Sequence, residues 1–116
     1  MIESQDYSEK RAFLRYPISI PVGYLEPYSR TENSGLTHDI SEEGLCIVSE
    51  RAMLADSCVD VYLRLRDDDR RIHRRGRVAW SRMIEPGKFY NGIRLDDEHL
   101  NSIDLVLRTI KSQRNY

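Results

Sequence analysis

The sequence is poor in the residues that mark the commoner kinds of site. Its 116 residues hold only two cysteines, Cys46 and Cys58, which excludes a disulfide-dense scaffold. Structural zinc needs more ligands than these, and His38, His73 and His99 stand at no metal-binding spacing to them. Cys46 lies among Leu45, Ile47 and Val48 and reads as a reduced core thiol; no metal and no cofactor are expected. The six glycines form neither a phosphate loop nor a dinucleotide-binding turn, and no strand-helix-strand alternation supports such a fold. No apolar run approaches the ~20 residues needed to cross a bilayer. Residues 1–9 are polar and acidic, unlike a secretion signal. Hence no direct membrane insertion and a cytoplasmic location are expected. A net charge of -1 speaks against non-specific binding to a nucleic-acid polymer or an anionic surface.

What is present is β-patterning over most of a chain of single-domain length. Residues 1–15 lack a sustained period and read as an amino-terminal arm, of which 1–9 lie outside a domain spanning 10–112. Ile18, Ile20, Val22 and Tyr24 alternate with polar or small residues in a first strand over 17–25, where Pro17 and Pro21 suggest an edge or a barrel opening. Residues 35–41 and 44–49 read as a hairpin turning at Glu42 and Glu43, with Gly44 where a positive φ is needed. Val59, Val61, Leu63 and Leu65 mark a fourth strand, and Asp67, Asp68 and Asp69 a solvated turn. The fifth strand, 71–83, puts Ile72, Val78 and Trp80 on one face, so Trp80 is expected in the core; Gly76 reads as a bulge. After a turn at Glu85, Pro86 and Gly87, Phe89, Asn91, Ile93 and Leu95 alternate in a sixth strand. Leu100, Ile103, Leu107 and Ile110 then take helical spacing behind Asp96 as N-cap, giving a helix over about 97–112. Six short antiparallel strands over about 16–95 and one helix make a mainly all-β fold, a small barrel or sandwich.

Two motifs carry chemistry. Arg11-Ala12-Phe13-Leu14-Arg15 is weak alone: with 15 arginines among 116 residues, about two Arg-x-x-x-Arg pairs arise by chance, and there are four. Asp39-Ile40-Ser41-Glu42-Glu43-Gly44 is different, because Asp/Asn-x-Ser-x-x-Gly is expected only about 0.07 times in such a composition. A carboxylate accepts from guanine N1–H and N2–H2, and an arginine fork matches O6 and N7 or phosphate oxygens. An arm carrying two arginines would order when such a ligand arrives. The arginine-rich stretch 64–77 reads instead as the polar face of a hairpin; it lacks the interleaved aromatics an RNA-binding barrel would use. His38 and Asp39, adjacent in a strand, should point to opposite faces, which argues against an acid/base pair. No catalytic residue is assigned and no enzyme is expected.

Together with Arg77-Val78-Ala79-Trp80 and Asn91-Gly92-Ile93-Arg94-Leu95, the two motifs make the chain resemble the PilZ domain of bacterial cyclic di-GMP receptors over about residues 9–111. The resemblance implies a six-stranded antiparallel split barrel with a carboxy-terminal helix. It implies cyclic di-GMP as ligand, held by Arg11, Arg15, Asp39, Ser41 and Gly44. Lys10, just before the first arginine, stands where the family tunes binding of one ligand or an intercalated pair, and its charge leans toward the pair. An unidentified effector protein would receive the signal from a monomer or weak dimer. The alternative is an interaction adaptor that keeps the fold and not the ligand.

Overall fold

The computed structural model of the protein describes residues 15–41, 43–64, 71–96 and 109. Six strands follow in order: β1 (Pro21–Leu25), β2 (Asn33–Ile40), β3 (Gly44–Ser49), β4 (Cys58–Arg64), β5 (Arg71–Glu85) and β6 (Lys88–Leu95). All neighbours are antiparallel, and the order β1-β2-β3-β6-β5-β4 closes on itself through β1 and β4. Of barrel and sandwich, the closed barrel is what forms. Closure gives every strand a neighbour on both sides over at least part of its length, which suits a chain this rich in β-patterning.

The interior is built by alternation. Val59, Val61 and Leu63 from β4 meet Ile40, Leu45, Ile47, Val78 and Ile93 in one apolar cluster, all nearly inaccessible. At about 25 cal/mol per Å2 of apolar surface removed from water, this burial is the main favourable contribution to folding. Asn91 is the polar exception: fully buried, its Nδ2 donates to the Ile47 carbonyl at 2.9 Å and to Ser49 Oγ at 2.8 Å, while Oδ1 accepts from Ser81 Oγ at 2.6 Å. It ties β3, β6 and β5 together. Asn91→Ala removes three hydrogen bonds from the barrel wall and is expected to cost about 2–4 kcal/mol, read as a fall in urea midpoint at unchanged slope.

The first strand is shorter than its alternation implies. Pro21 has no N–H, so residues 17–20 are held by Thr37 instead. Ile20 N–H donates to Thr37 Oγ1 at 3.0 Å, Thr37 Oγ1 donates to the Ile18 carbonyl, and Thr37 N–H donates to the Ile20 carbonyl at 3.0 Å. Gly76 lies in regular register opposite Val59 and Leu95 and marks no bulge; a Cβ there would come within 2.7 Å of the Arg94 carbonyl oxygen. Bulges occur elsewhere in β5, between Val78 and Trp80 and between Met83 and Glu85, and once in β2, between Thr37 and Asp39. Gly87 takes φ 80° after Pro86, as a two-residue turn of this composition requires. Of the helix expected over 97–112, only Thr109, helical and fully buried, is among the described residues. The Asp67–Asp69 turn lies outside them.

The arginine-rich hairpin face is largely satisfied within itself. Arg71 pairs with Glu32 at 2.6 Å and lies 4.5 Å over the Tyr62 ring, and Asp60 accepts from His73 at 2.9 Å and Arg75 at 3.3 Å. The His73 bond, with Arg75 behind it, holds Asp60 below the usual carboxylate range.

Candidate ligand site on the outer face of the barrel

A bulge creates the site. In β2, Thr37 pairs with Ile47 and Asp39 with Cys46, so His38 is the extra residue. Thr37 and Ile40 then both face inward, and His38 and Asp39 fall on the same outer side. Contrary to the strict alternation expected, His38 Nδ1 lies 3.0 Å from Asp39 Oδ2. The His38 ring also rests 4.6 Å from that of Tyr90.

The chain before β1 reaches the same place. Tyr16 and Ile40 exchange two backbone hydrogen bonds, of 2.8 and 3.0 Å, forming an isolated bridge at the end of β2. This anchors Arg15, whose side chain is half exposed and lies 3.3 Å from Asp39 Oδ1. The last residue of one motif therefore meets the first residue of the other. The contact is an ion pair without hydrogen-bonding alignment, and Oδ1, itself inaccessible, accepts no hydrogen bond from the described residues. Lys10 and Arg11 lie outside those residues.

Ser41 and Gly44 serve the connection between β2 and β3. Ser41 is buried; its N–H donates to the Gly44 carbonyl at 2.8 Å, and its Oγ accepts from the N–H groups of Glu43 and Gly44 at 3.3 Å. A short hydroxyl side chain closing its own turn is familiar local chemistry. Gly44 does not have the positive φ expected of it: among the described residues only Gly87 and Asp56 do. It is glycine because β6 passes too close for anything larger. A Cβ at Gly44 would collide with the carbonyl oxygen of Ile93.

Register extends the face beyond the two motifs. Asp39 stands opposite Cys46, Cys46 opposite Gly92, and Gly92 opposite Trp80, a row crossing β2, β3, β6 and β5. Trp80 departs from the core position its parity with Val78 implies. The bulge after Val78 turns it outward, leaving it 38% exposed with its indole lying over Gly92, where a Cβ would strike the ring. The Arg82 guanidinium sits 5.2 Å from the Trp80 ring centroid. Sequence alternation missed this residue, because one extra residue reverses every later side chain in the strand. Cys46 is a free thiol; burial, reinforced by the Asp39 charge, pushes its pKa up to about 11. Cys58 is free and exposed.

The described surface thus offers a carboxylate, an anchored guanidinium paired with it and an aromatic plane on one outer face. That set suits a planar, donor-rich, anionic ligand.

Comparison with known proteins agrees with this architecture. No curated protein matches the chain. Among solved structures, the PilZ domain of CeSA from a cellulose-synthesising bacterium shares 22% identity at a TM-score of 0.61, covering 81% of this chain and 95% of that one. The inhibitor of motility MotI/DgrA from Bacillus subtilis shares 15% at 0.65, over 89% of this chain and 51% of its own length. The PilZ domain of YcgR from Escherichia coli, solved with c-di-GMP, shares 10% at 0.70, over 90% and 92%. At these identities the likeness is one of fold. The PilZ domain family model itself matches residues 9–111. With nearly its whole length matched, the chain belongs to the PilZ domain family.

Proposed function

We propose that this protein is a receptor for cyclic di-GMP, gripping the dinucleotide with Arg11 and Arg15 of the arm and with Asp39, Ser41 and Gly44 of the barrel, Lys10 adding charge beside the arm. The observation that carries this reading is the pairing of Arg15 with Asp39, which joins the two motifs in space at 3.3 Å. The Asp39 carboxylate accepts guanine N–H groups once the Arg15 side chain turns from it to the ligand, and the Arg15 fork then donates to O6, N7 or phosphate. Ser41 and Gly44 also hold the turn that presents Asp39. Trp80 adds a plane on which a purine can stack; base on aromatic is worth about 1–3 kcal/mol. Ordering of residues 10–15 against the barrel would then change the surface offered to an effector protein.

Titration calorimetry with cyclic di-GMP tests this, and absence of binding at micromolar ligand overturns it. Trp80 is the sole tryptophan, so fluorescence excited selectively at tryptophan reports on this face. Binding is expected to alter its emission, and Gly92→Ala, which pushes the indole aside, is expected to weaken binding by about tenfold.

One observation favours the alternative of an adaptor indifferent to the nucleotide: the turn and the β3-β6 approach account for Ser41 and Gly44 without any ligand. A partner pull-down unaffected by cyclic di-GMP would favour that reading.

A further inference from the structure

We propose that His38, Asp39 and Cys46 form a binding site for a divalent metal ion of borderline softness, zinc in the first instance, and that metal and cyclic di-GMP exclude one another at Asp39. The exclusion rests on the receptor function proposed above; the metal site does not.

The bulge sets His38 beside Asp39, and the β2-β3 register sets Cys46 directly opposite. As a result one donor atom from each residue, a nitrogen, an oxygen and a sulfur, lies within 4.8 Å of the other two. Zinc bonds of about 2.0–2.1 Å to nitrogen or oxygen and about 2.3 Å to sulfur place tetrahedral donors about 3.3–3.6 Å apart. Side-chain adjustment of about 1 Å therefore closes the set, with water in the fourth position, as three-ligand zinc sites have. All three donors are carried by paired strands, so little chain entropy is lost on binding. A second observation points the same way: Asp39 Oδ1 is inaccessible yet accepts no hydrogen bond from the described residues. On binding, the Cys46 thiol gives its proton to the buffer and its sulfur to the metal.

The consequence is antagonism. Asp39 cannot both ligate a cation and accept guanine N–H groups, and a divalent charge repels the Arg15 guanidinium, which lies 3.3 Å from Asp39 Oδ1. Linkage then requires that each ligand weaken the other by the same factor.

The test uses reduced protein carrying Cys58→Ser, which removes the exposed thiol. Cobalt(II) is the spectroscopic probe, and zinc affinity is read by displacement of cobalt. The expected result is one cobalt bound, with a thiolate-to-cobalt charge-transfer band and the strong visible absorption of a four-coordinate site. His38→Gln and Cys46→Ala are each expected to weaken metal binding about tenfold or more while keeping their affinity for cyclic di-GMP. Zinc at about ten times its own Kd should raise the apparent Kd for cyclic di-GMP about tenfold, and in neither variant. A missing charge-transfer band overturns the site, as does a band that survives Cys46→Ala. Should that variant not fold, the half-exposed His38 decides through His38→Gln. Metal binding that leaves dinucleotide affinity unchanged overturns the exclusion. Cobalt binding without any cyclic di-GMP binding upholds the site and overturns the receptor function.

Discussion

Arg15→Ala is expected to weaken cyclic di-GMP binding by about ten- to a hundredfold, measured by calorimetry. A bidentate arginine contact to guanine is worth about 1–3 kcal/mol, and each 1.4 kcal/mol is a factor of ten. An opposing effect must be weighed, because Arg15 also pairs with Asp39 in the free protein. That pair is half exposed on the arginine side, and such pairs are worth about 0–1 kcal/mol. Relief of its disruption is therefore too small to offset the lost ligand contact. Arg15→Lys separates charge from fork geometry: it keeps the cation and loses the planar donors, and is expected to fall between wild type and alanine. Arg71→Ala is the control. Arg71 belongs to another Arg-x-x-x-Arg pair but is engaged with Glu32 and Tyr62, so affinity should be unchanged. Equal binding by Arg15→Ala and wild type would remove Arg15 from the site.

Gly44→Val is expected to be the most destabilising change in the motif, lowering stability by about 3 kcal/mol or more in urea unfolding. Its first added carbon meets backbone, the Ile93 carbonyl oxygen, not a side chain that can swing away. Relief requires β3 and β6 to separate, which disturbs the adjacent Asn91 bonds to Ile47 and Ser49. Gly87→Ala makes the informative contrast. There φ is 80° and nothing lies within 4 Å of the added carbon, so the cost is only the backbone conformation, about 1–2 kcal/mol. If Gly44→Val folded with wild-type stability, the close approach of the two strands would be wrong. If it folded but lost the ligand, Gly44 would act at the site and not through the barrel.

Strand existence was legible because burial on one face of a strand leaves a period-two trace. Val59, Val61 and Leu63 emerge as core for that reason. The second motif was legible as a rare sequence pattern, and its Asp39 and the Arg15 of the first do come together. Trp80 and His38 were misplaced for a common cause: each lies at or just beyond a bulge, and a single inserted residue inverts the faces of its neighbours. Gly44 is glycine for a different physical reason from the one its position in the hairpin implies, since a glycine letter does not distinguish a positive φ from a crowded approach.

By itself, then, the sequence determined the six strands, the apolar interior and the pairing of motifs that names the family, because these follow from local alternation and residue chemistry. Only the tertiary structure decided which side chains share the outer face. Bulges and cross-strand register are set by pairing between segments distant in sequence, and it is that pairing which puts Asp39, Cys46, Gly92 and Trp80 in one row.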